Sequence, residues 1–388
     1  MVRAAQRTRR SRVAAVGALV VVYAGLTGCP GDPDRDAAPP PGAAGGAACP
    51  EAFAEAKAAV AAAEVTTVPW TGPTTGPRAP TGKTVVYIAQ IMTNPGVAGA
   101  ARGAVEAAHA VGWNLELIDG QGSPSGIQSA FTHALALNPD GIIVGGFDPG
   151  IAALQLAEAD ARGIPVVGWH AVGSPGPSQN PKLFTNITTK VEDVARISAQ
   201  WIILHSGGTA GVVVFTDASI PFARRKSELI TAALQACPAV RVLSTEDIPI
   251  PEGSTRTPRH ISALVERFGD SWTHSVAIND LYFADAASAL RKAGKRGAGP
   301  PYNIGAGDGD PVAFERIRGR QYEAATVPEP LLQQGWQIID ELNRAIARRP
   351  SSNFVPPVHL TTTANVGGAT YWEPDNGYRN RYMTIWGR

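Results

Sequence analysis

The segment TVVYIAQIMTNPGVAGAARGAVEAAHAVGWNLELID, residues 84–119, shows how the main part of this chain is built. It begins with a short run of apolar and β-branched residues, Thr84–Ala89, which is typical of a buried strand. A second strand candidate, Asn114–Asp119, ends the segment. Between them an apolar face recurs at helical spacing, at Val97, Ala101, Ala104, Val105, Ala108 and Val111. Since parallel strands are joined by crossovers of this kind, the segment predicts a parallel strand–helix–strand unit.

The same alternation continues along the chain. The strand candidates, most of them separated by helical stretches, are Thr84–Ala89, Asn114–Asp119, Gly141–Gly145, Pro165–Trp169, Leu183–Ile187, Gly211–Thr216, Val240–Glu246, Ser275–Asn279, Asn303–Gly307 and Glu323–Val327. Runs that are apolar on both faces fit parallel strands covered by helices. These strands are more than one ordinary sheet holds. The sequence therefore predicts an α/β fold of two doubly wound lobes, with a single large sheet as the alternative.

The first residues predict export from the cytoplasm. Five arginines precede the short apolar stretch Val13–Gly25, and Leu26–Cys29 follows it. This arrangement is that of a secretory signal peptide, here residues 1–28, and it is too short to span a bilayer comfortably. Leu-Thr-Gly-Cys resembles a bacterial lipobox, in which the thiol of Cys29 is lipidated. We therefore expect a lipid-anchored protein outside the cytoplasmic membrane, in the periplasm or at the cell surface. The alternative is an ordinary signal peptide with a coincidental cysteine.

Residues 29–81 predict a tether and an alanine-rich helix ahead of the main fold. Pro30–Gly46 is rich in Pro, Gly, Ala and Asp and lacks an apolar period, which is typical of a disordered tether. Pro50–Glu64 predicts a helix that is an appendage to the main fold, since a Pro, Gly and Thr-rich stretch follows it. With Cys29 lipidated, Cys49 and Cys237 remain. They can pair outside the cytoplasm, but the sequence leaves the disulfide open.

Composition and motifs narrow the function. The net charge is +1, and no basic stretch interleaves with aromatic residues, so no nucleic-acid partner is expected. No Walker loop, nucleophile elbow, dinucleotide fingerprint or metal-spaced cluster occurs, so we expect no enzyme, no cofactor and no metal. A carbohydrate-active enzyme stays open as a rival, because Asp217, Asp308 and Glu329 are candidate acid–base residues.

Unusual polar and aromatic residues follow the predicted strands. They are Asn94, Asp119, Phe147, Asp148, Trp169, His170, Asp217, Asn279, Asp280, Asp308 and Glu329. In open α/β sheets the carboxyl ends of the strands form the ligand crevice, so two facing lobes would make one polar cleft. Carboxylates and amides bind vicinal hydroxyls, and aromatic faces pack on the C–H side of a sugar. Each residue taken alone has a local alternative, since Asp and Asn also favour turns and helix caps.

Several motifs together resemble the type I periplasmic sugar-binding proteins, those similar to ribose-binding protein. Besides Thr84–Gly103, the motifs are Asn138–Ile143, Gly163–Val167, the "N-D" turn Ala277–Asp280 and the "G-x-D-G" turn Ile304–Gly309. The resemblance runs from about Gly82 to Val366.

The resemblance implies two Rossmann-like lobes, joined by a three-stranded hinge, that close on a ligand. Lobe 1 would comprise residues 82–187 and 330–356. Lobe 2 would comprise residues 188–329 and 357–366, including a strand at His359–Asn365. Residues 367–388 form a C-terminal tail beyond the usual end of the family, and we expect its aromatic residues to pack on a lobe.

The resemblance also assigns a binding site. Asn94, Asn279 and Asp308 stand where the family has polar groups that bind hydroxyls. Arg224 falls near the family's sugar-binding arginine, with Arg225 as a possible register. The chain departs from the pattern at four positions, where Gly96 and Val97 replace stacking aromatics, His170 stands where Asp is common, and Glu329 replaces Gln. The predicted ligand-binding set is Asn94, Phe147, Trp169, His170, Arg224, Asn279, Asp308 and Glu329, in which Phe147, Trp169 or the nearby Phe222 supplies stacking.

The family's function implies a monomeric binding protein that captures a monosaccharide or related small polar solute, a sugar or polyol, for the permease of an ABC importer. The lost aromatics leave the particular ligand open. A lipoprotein that reports its ligand to a receptor kinase or chemoreceptor is the alternative. A regulator of the LacI type is disfavoured, because a signal peptide and tether occupy the position of its DNA-binding headpiece.

Overall fold

A computed structural model of the protein describes residues 48–388. The predicted signal peptide, Cys29 and the tether Pro30–Gly46 lie outside these residues. The described helices are α1 Pro50–Ala63, α2 Pro95–Val111, α3 Pro124–Ala136, α4 Ala153–Ala161, α5 Val191–His205, α6 Pro221–Leu234, α7 Gly253–Phe268, α8 Leu281–Lys292, α9 Pro311–Arg318, α10 Leu331–Ile346 and α11 Tyr378–Trp386.

The strands form two sheets of six, so the prediction of two lobes is confirmed and the single large sheet is wrong. The strands are β1 Thr84–Ala89, β2 Asn114–Asp119, β3 Gly141–Gly145, β4 Val166–Trp169, β5 Gly176–Gln179, β6 Lys182–Ile187, β7 Ala210–Thr216, β8 Val240–Asp247, β9 His274–Ala277, β10 Tyr302–Gly305, β11 Ala325–Thr326 and β12 Thr361–Thr362. The order is β2-β1-β3-β4-β6-β5 in lobe 1 and β12-β11-β10-β9-β7-β8 in lobe 2. Only the edge strands β5 and β12 run antiparallel to their neighbours among those described.

The sequence and the structure differ at the edges of the sheets. β5 escaped prediction because Gly-Pro-Ser-Gln has no apolar alternation, and it pairs with β6 on one side only. The strand expected at His359–Asn365 contains only the two residues of β12. β5 has no fully buried residue and β12 is only two residues long, so neither carries a clear periodic signal.

Lobe 1 is completed by α10, which enters from lobe 2 and packs closely on α2. Asn94 caps α2, Pro95 opens it, and Gly112 ends it at a φ of +74°. Gly103 and Gly335 permit the contact, since a Cβ on Gly103 would lie 2.5 Å from the carbonyl oxygen of Leu332. The two helices therefore meet backbone to backbone, and any side chain at either glycine would separate them.

The alanine-rich helix α1 is part of lobe 2, so its interpretation as an appendage is wrong. It shares an apolar cluster with α5, which includes Ala56, Val60 and Ile202. Cys49, just before α1, is disulfide-bonded to Cys237, with the two Cα atoms 5.3 Å apart. The low-complexity sequence hid this packing, because the small alanine side chains leave a weak apolar face.

Two further segments connect the lobes in addition to the three family crossovers 188–190, 327–330 and 347–360. The N-terminal strap, residues 64–83, bonds lobe 2 through Glu64 and Thr362 (2.8 Å). It then reaches α10, where Asn343 donates to the carbonyl of Pro77 (2.8 Å). Within residues 48–388 the chain therefore passes between the lobes five times.

The second of these segments is the C-terminal strap, residues 366–377. It begins on lobe 2, where Arg318 donates to the carbonyl of Gly367 (2.7 Å), and reaches lobe 1, where Asn376 bonds Gln333 (2.9 Å). The chain then ends in α11, whose aromatic residues pack on lobe 1 as expected of the tail. Trp386 stacks on Trp336, with ring centroids 5.4 Å apart. None of the helices in residues 48–388 combines the length and apolar character needed to cross a bilayer.

Candidate functional site

A cavity of about 40 Å³ lies between the lobes, beside the carboxyl ends of the strands. This volume is well below that of sites which hold a small molecule, so the lobes must separate or the lining side chains must move to admit one. Its main lining residues are Gln90, Asn94, Val97, Gly146, Trp169 and His170 from lobe 1, and Phe222, Lys226, Asn279 and Asp308 from lobe 2. Five of the eight residues predicted from the sequence therefore line one cavity, and both lobes contribute.

Two of these residues also accept a backbone hydrogen bond at the start of a helix. The side-chain oxygen of Asn94 accepts a bond from the backbone N–H of Gly96 (3.0 Å), and that of Asn279 accepts one from Leu281 (3.1 Å). The local and the functional interpretations of these asparagines are therefore compatible. Because each bond uses only the oxygen, the amide nitrogen is left to donate to a ligand.

Asp308 brings lobe 2 into contact with the first turn of α2. A Cβ added at Gly96 would collide with the carboxylate of Asp308, so the absence of a side chain at position 96 makes room for it. Burial raises the pKa of Asp308 to about 8, against the lowering effect of the Lys226 ammonium. Asp308 lies in a turn between Gly307 and Gly309, and its backbone is left-handed, with a φ of +67°.

Of the polar residues that line the cavity, Gln90 and Lys226 were not predicted from the sequence, and the charged one is Lys226. Its ammonium is buried and donates to the carbonyls of Ile278 (3.1 Å) and Ala306 (2.5 Å). Gly307 permits this position, because a Cβ there would lie 2.7 Å from the ammonium. The signal was available in the helical spacing of α6, whose buried face carries Phe222, Lys226 and Ile230 at intervals of four residues.

Arg224 and Phe147 do not line the cavity. Arg224 lies on the exposed face of α6, and the neighbouring Arg225 bonds Glu192 (2.5 Å) at the surface. Phe147 is buried in the core of lobe 1 behind the cavity, in a cluster with Ile142 and Val144. Lys226 therefore takes the place that we expected for Arg224.

The aromatic residues of the site form a stack across the two lobes. The imidazole of His170 lies 4.0 Å from the ring of Trp169 at 10° between planes, and 4.4 Å from the ring of Phe222 at 26°. Trp169 is the last residue of β4 in lobe 1 and His170 follows it, whereas Phe222 lies in the first turn of α6 in lobe 2. Burial lowers the pKa of His170, which favours its neutral form.

Glu329 lies beneath the cavity, where it connects the crossovers. Its carboxylate accepts bonds from Thr189 (2.7 Å) and Gln334 (2.6 Å), and it faces the Nε2 atom of His170 at 3.5 Å. Burial alone would raise the pKa of Glu329, but His170, the Lys226 ammonium and the Thr189 hydroxyl together lower it to about 2. Glu329 is therefore ionised at neutral pH. Within the described residues no group of three or more His, Cys, Asp or Glu side chains could hold a metal ion.

The arrangement of two Rossmann-like lobes around a polar cavity defines a class of hinged binding proteins. Residues 85–349 match the periplasmic binding protein domain family, so the chain belongs to that family. The fold expected from the family resemblance is thereby confirmed. A search of curated protein sequences finds no significant match.

Solved structures of low sequence identity share this fold. A solute-binding protein of an ABC transporter from Agrobacterium vitis, bound to alpha-D-tagatopyranose, is 14% identical with a TM-score of 0.66, covering 76% of this chain and 100% of its own. A second Agrobacterium vitis solute-binding protein, with bound allitol, is 19% identical with a TM-score of 0.63, covering 74% and 97%. A sugar ABC transporter protein from Yersinia enterocolitica is 13% identical with a TM-score of 0.67, covering 81% and 99%.

Proposed function

We propose that this protein captures a monosaccharide or a related polyol between its lobes and delivers it to an ABC importer. The observation that carries the proposal is the convergence of hydrogen-bonding side chains from both lobes on one buried cavity. Asn94 comes from lobe 1, and Lys226, Asn279 and Asp308 come from lobe 2. A ligand that bonds both sets stabilises the closed form over the open form, which is how such a protein reports that it is loaded.

The chemistry of these groups fits a neutral polyhydroxylated ligand. Amide nitrogens and an ammonium donate to hydroxyl oxygens, whereas the Asp308 carboxyl group accepts from a hydroxyl and, in its protonated form, also donates to one. The side-chain oxygen of Gln90 is buried and has no partner in the described part of the chain, so it adds an unused acceptor. The ligands named for the two Agrobacterium vitis proteins, a sugar and an alditol, support this class. We propose binding without chemical conversion of the ligand.

We further propose that the protein works as a monomer and is held outside the cytoplasmic membrane by a lipid on Cys29. The family places it outside the cytoplasm. Mass spectrometry of the protein from membranes of the producing bacterium should find a diacylglycerol on Cys29 as the first residue. Processing at another site, or a free thiol on Cys29, would contradict the anchor while leaving the binding proposal intact.

Titration calorimetry tests the binding proposal directly. The protein without residues 1–29 is titrated with hexoses, pentoses and their alditols, and we expect micromolar or tighter binding of at least one. Asp308→Ala should weaken that binding about tenfold to a hundredfold, because it leaves a hydroxyl of the closed-in ligand without its partner. Arg224→Ala is the matched control, since its side chain is exposed on the same lobe. If no member of the panel binds, the proposed ligand class is wrong.

A further inference from the structure

The imidazole of His170 occupies the one place in the cavity where a flat ring would be stacked from both sides. Trp169 and Phe222 each stack on it, with interplanar angles of 10° and 26° and centroids within 4.4 Å, which places them on opposite faces. One of these rings belongs to each lobe, so closure of the lobes completes the stack. Two rings this close to the imidazole leave no room for a sugar ring between either pair.

The backbone at His170 is fixed by several contacts. Its N–H donates to the carbonyl of Ile187 (3.2 Å), and the next N–H, of Ala171, donates to the side chain of Asn186 (3.0 Å). Asn186 also donates to the carbonyls of Val172 and Ser174, which holds the following loop. The φ of His170 is +50°, in the left-handed region, which is uncommon for non-glycine residues although Asn, Asp and His adopt it more often than the rest. These bonds hold the imidazole in the cavity.

Polar groups line the space that the His170 imidazole leaves open. They are Asn94, Asn279, Asp308 and Lys226, together with the Gln90 oxygen, which is buried without a hydrogen-bond partner in residues 48–388. These donors and acceptors suit a chain of hydroxyl groups, and apolar side chains such as Val97, Ile220 and Ile278 line the rest of the space. The position between two aromatic rings, which would pack on the C–H side of a pyranose, is occupied by His170.

We propose that His170 is the specificity-determining residue of this site, which fills the ring-stacking position so that the protein selects an acyclic polyol over a sugar ring. The inference rests on the proposed function, because it concerns which member of the sugar and polyol class is bound. It predicts that removal of the imidazole opens the stacking position to a ring.

The test compares matched pairs of ligands, each a hexose and its own alditol, by titration calorimetry. We expect the wild-type protein to bind at least one alditol about tenfold or more tightly than its hexose. His170→Gly, which suits the left-handed backbone, should reduce that preference about tenfold or more by gaining affinity for the ring. His205→Asn is the matched control, because it removes another imidazole stacked on a tryptophan, Trp201 (4.6 Å), outside the cavity.

The outcomes separate this inference from the proposed function. The inference is wrong if the wild-type protein binds a hexose as tightly as its alditol. It is also wrong if His170→Gly weakens the binding of both ligands equally. Neither result affects the proposed function. Failure of every sugar and alditol to bind would overturn the proposed function and the inference with it. Proton NMR of the ligand-free protein gives an independent measurement. The ring protons of His170 should be shifted upfield by the two flanking rings, and Phe222→Leu should reduce that shift; unshifted protons would contradict the occupied position.

Discussion

The hydroxyl of Thr189 donates a hydrogen bond of 2.7 Å to the carboxylate of Glu329, and these two residues belong to different crossovers between the lobes. Glu329 also accepts from Gln334 on α10, and Gln334 in turn accepts from the indole N–H of Trp169 in the cavity (2.8 Å). A single buried network thus connects the hinge with the aromatic stack. Rearrangement of the crossovers during opening must therefore change the contacts of Trp169.

Thr189→Val should lower the free energy of unfolding by about 1–3 kcal/mol, because it leaves a buried carboxylate with one bond fewer. Urea denaturation monitored by circular dichroism measures this. Thr188→Val is a matched control from the same crossover, since its buried hydroxyl has no partner in the described residues and its loss should be nearly neutral. Equal effects of the two substitutions would show that the bond to Glu329 contributes nothing particular.

Lys226→Met should weaken ligand binding by about tenfold or more. It removes the ammonium at the cavity, which is the only buried one in residues 48–388, and it leaves two backbone carbonyls without a hydrogen bond. Calorimetry with the ligand identified for the wild-type protein measures the loss. Arg225→Ala changes a cation on the same helix whose partner is a surface carboxylate, and it should bind normally. Strong binding by Lys226→Met would remove this lysine from the site.

Two glycine substitutions in α2 should have different consequences. Gly96→Ala places a methyl group against the Asp308 carboxylate of the other lobe, so it should oppose closure and weaken binding with little change in unfolding. Gly103→Ala places one against the backbone of Leu332 in the same lobe, so it should destabilise lobe 1 by about 1–3 kcal/mol. Calorimetry and urea denaturation of both variants distinguish the effects, and an equal loss of stability in both would contradict the assignment.

The stability contributed by Asp308 should depend on pH. Its pKa is about 8 in the folded protein, above the ordinary value, so the folded state favours the protonated form. This contribution is complete below pH 4 and is lost as the pH rises towards 8, with a slope of at most about 1.4 kcal/mol per pH unit. The free energy of unfolding of the wild-type protein, minus that of Asp308→Asn, should therefore fall between pH 4 and pH 8. A difference that is constant or rises would contradict the assignment.

Loss of the Cys49–Cys237 disulfide should lower the free energy of unfolding by about 3–5 kcal/mol, because the cysteines are 188 residues apart and the bond restricts a long loop of the unfolded chain. Urea denaturation with and without reductant measures this. The double variant Cys49→Ser, Cys237→Ser is the control, and reductant should leave its stability unchanged. An unchanged midpoint for the reduced wild-type protein would show that α1 stays in place without the bond.

Regular spacing explains how much the sequence could predict. The apolar period of strands and helices is local, so β1, β2 and β3 begin and end at the predicted residues. The site was only partly predictable, because the direction of a side chain on α6 depends on which face of that helix packs on the sheet. This placed Lys226 inside and Arg224 outside. The stack of His170 on Phe222 depends on how the lobes meet, which no local pattern encodes.

The two straps change what the empty protein can do. A hinge made only of the three family crossovers permits a broad range of separations, whereas five chain connections leave fewer arrangements to lose when the lobes come together. The loss of conformational entropy that opposes ligand binding is correspondingly smaller, because the lobes are already restricted relative to each other once the chain has folded. Small-angle X-ray scattering of the protein with and without ligand should accordingly show only a slight change in radius of gyration. Release of the ligand then depends on a partner protein that holds the lobes apart, because the protein alone seldom adopts a conformation with widely separated lobes.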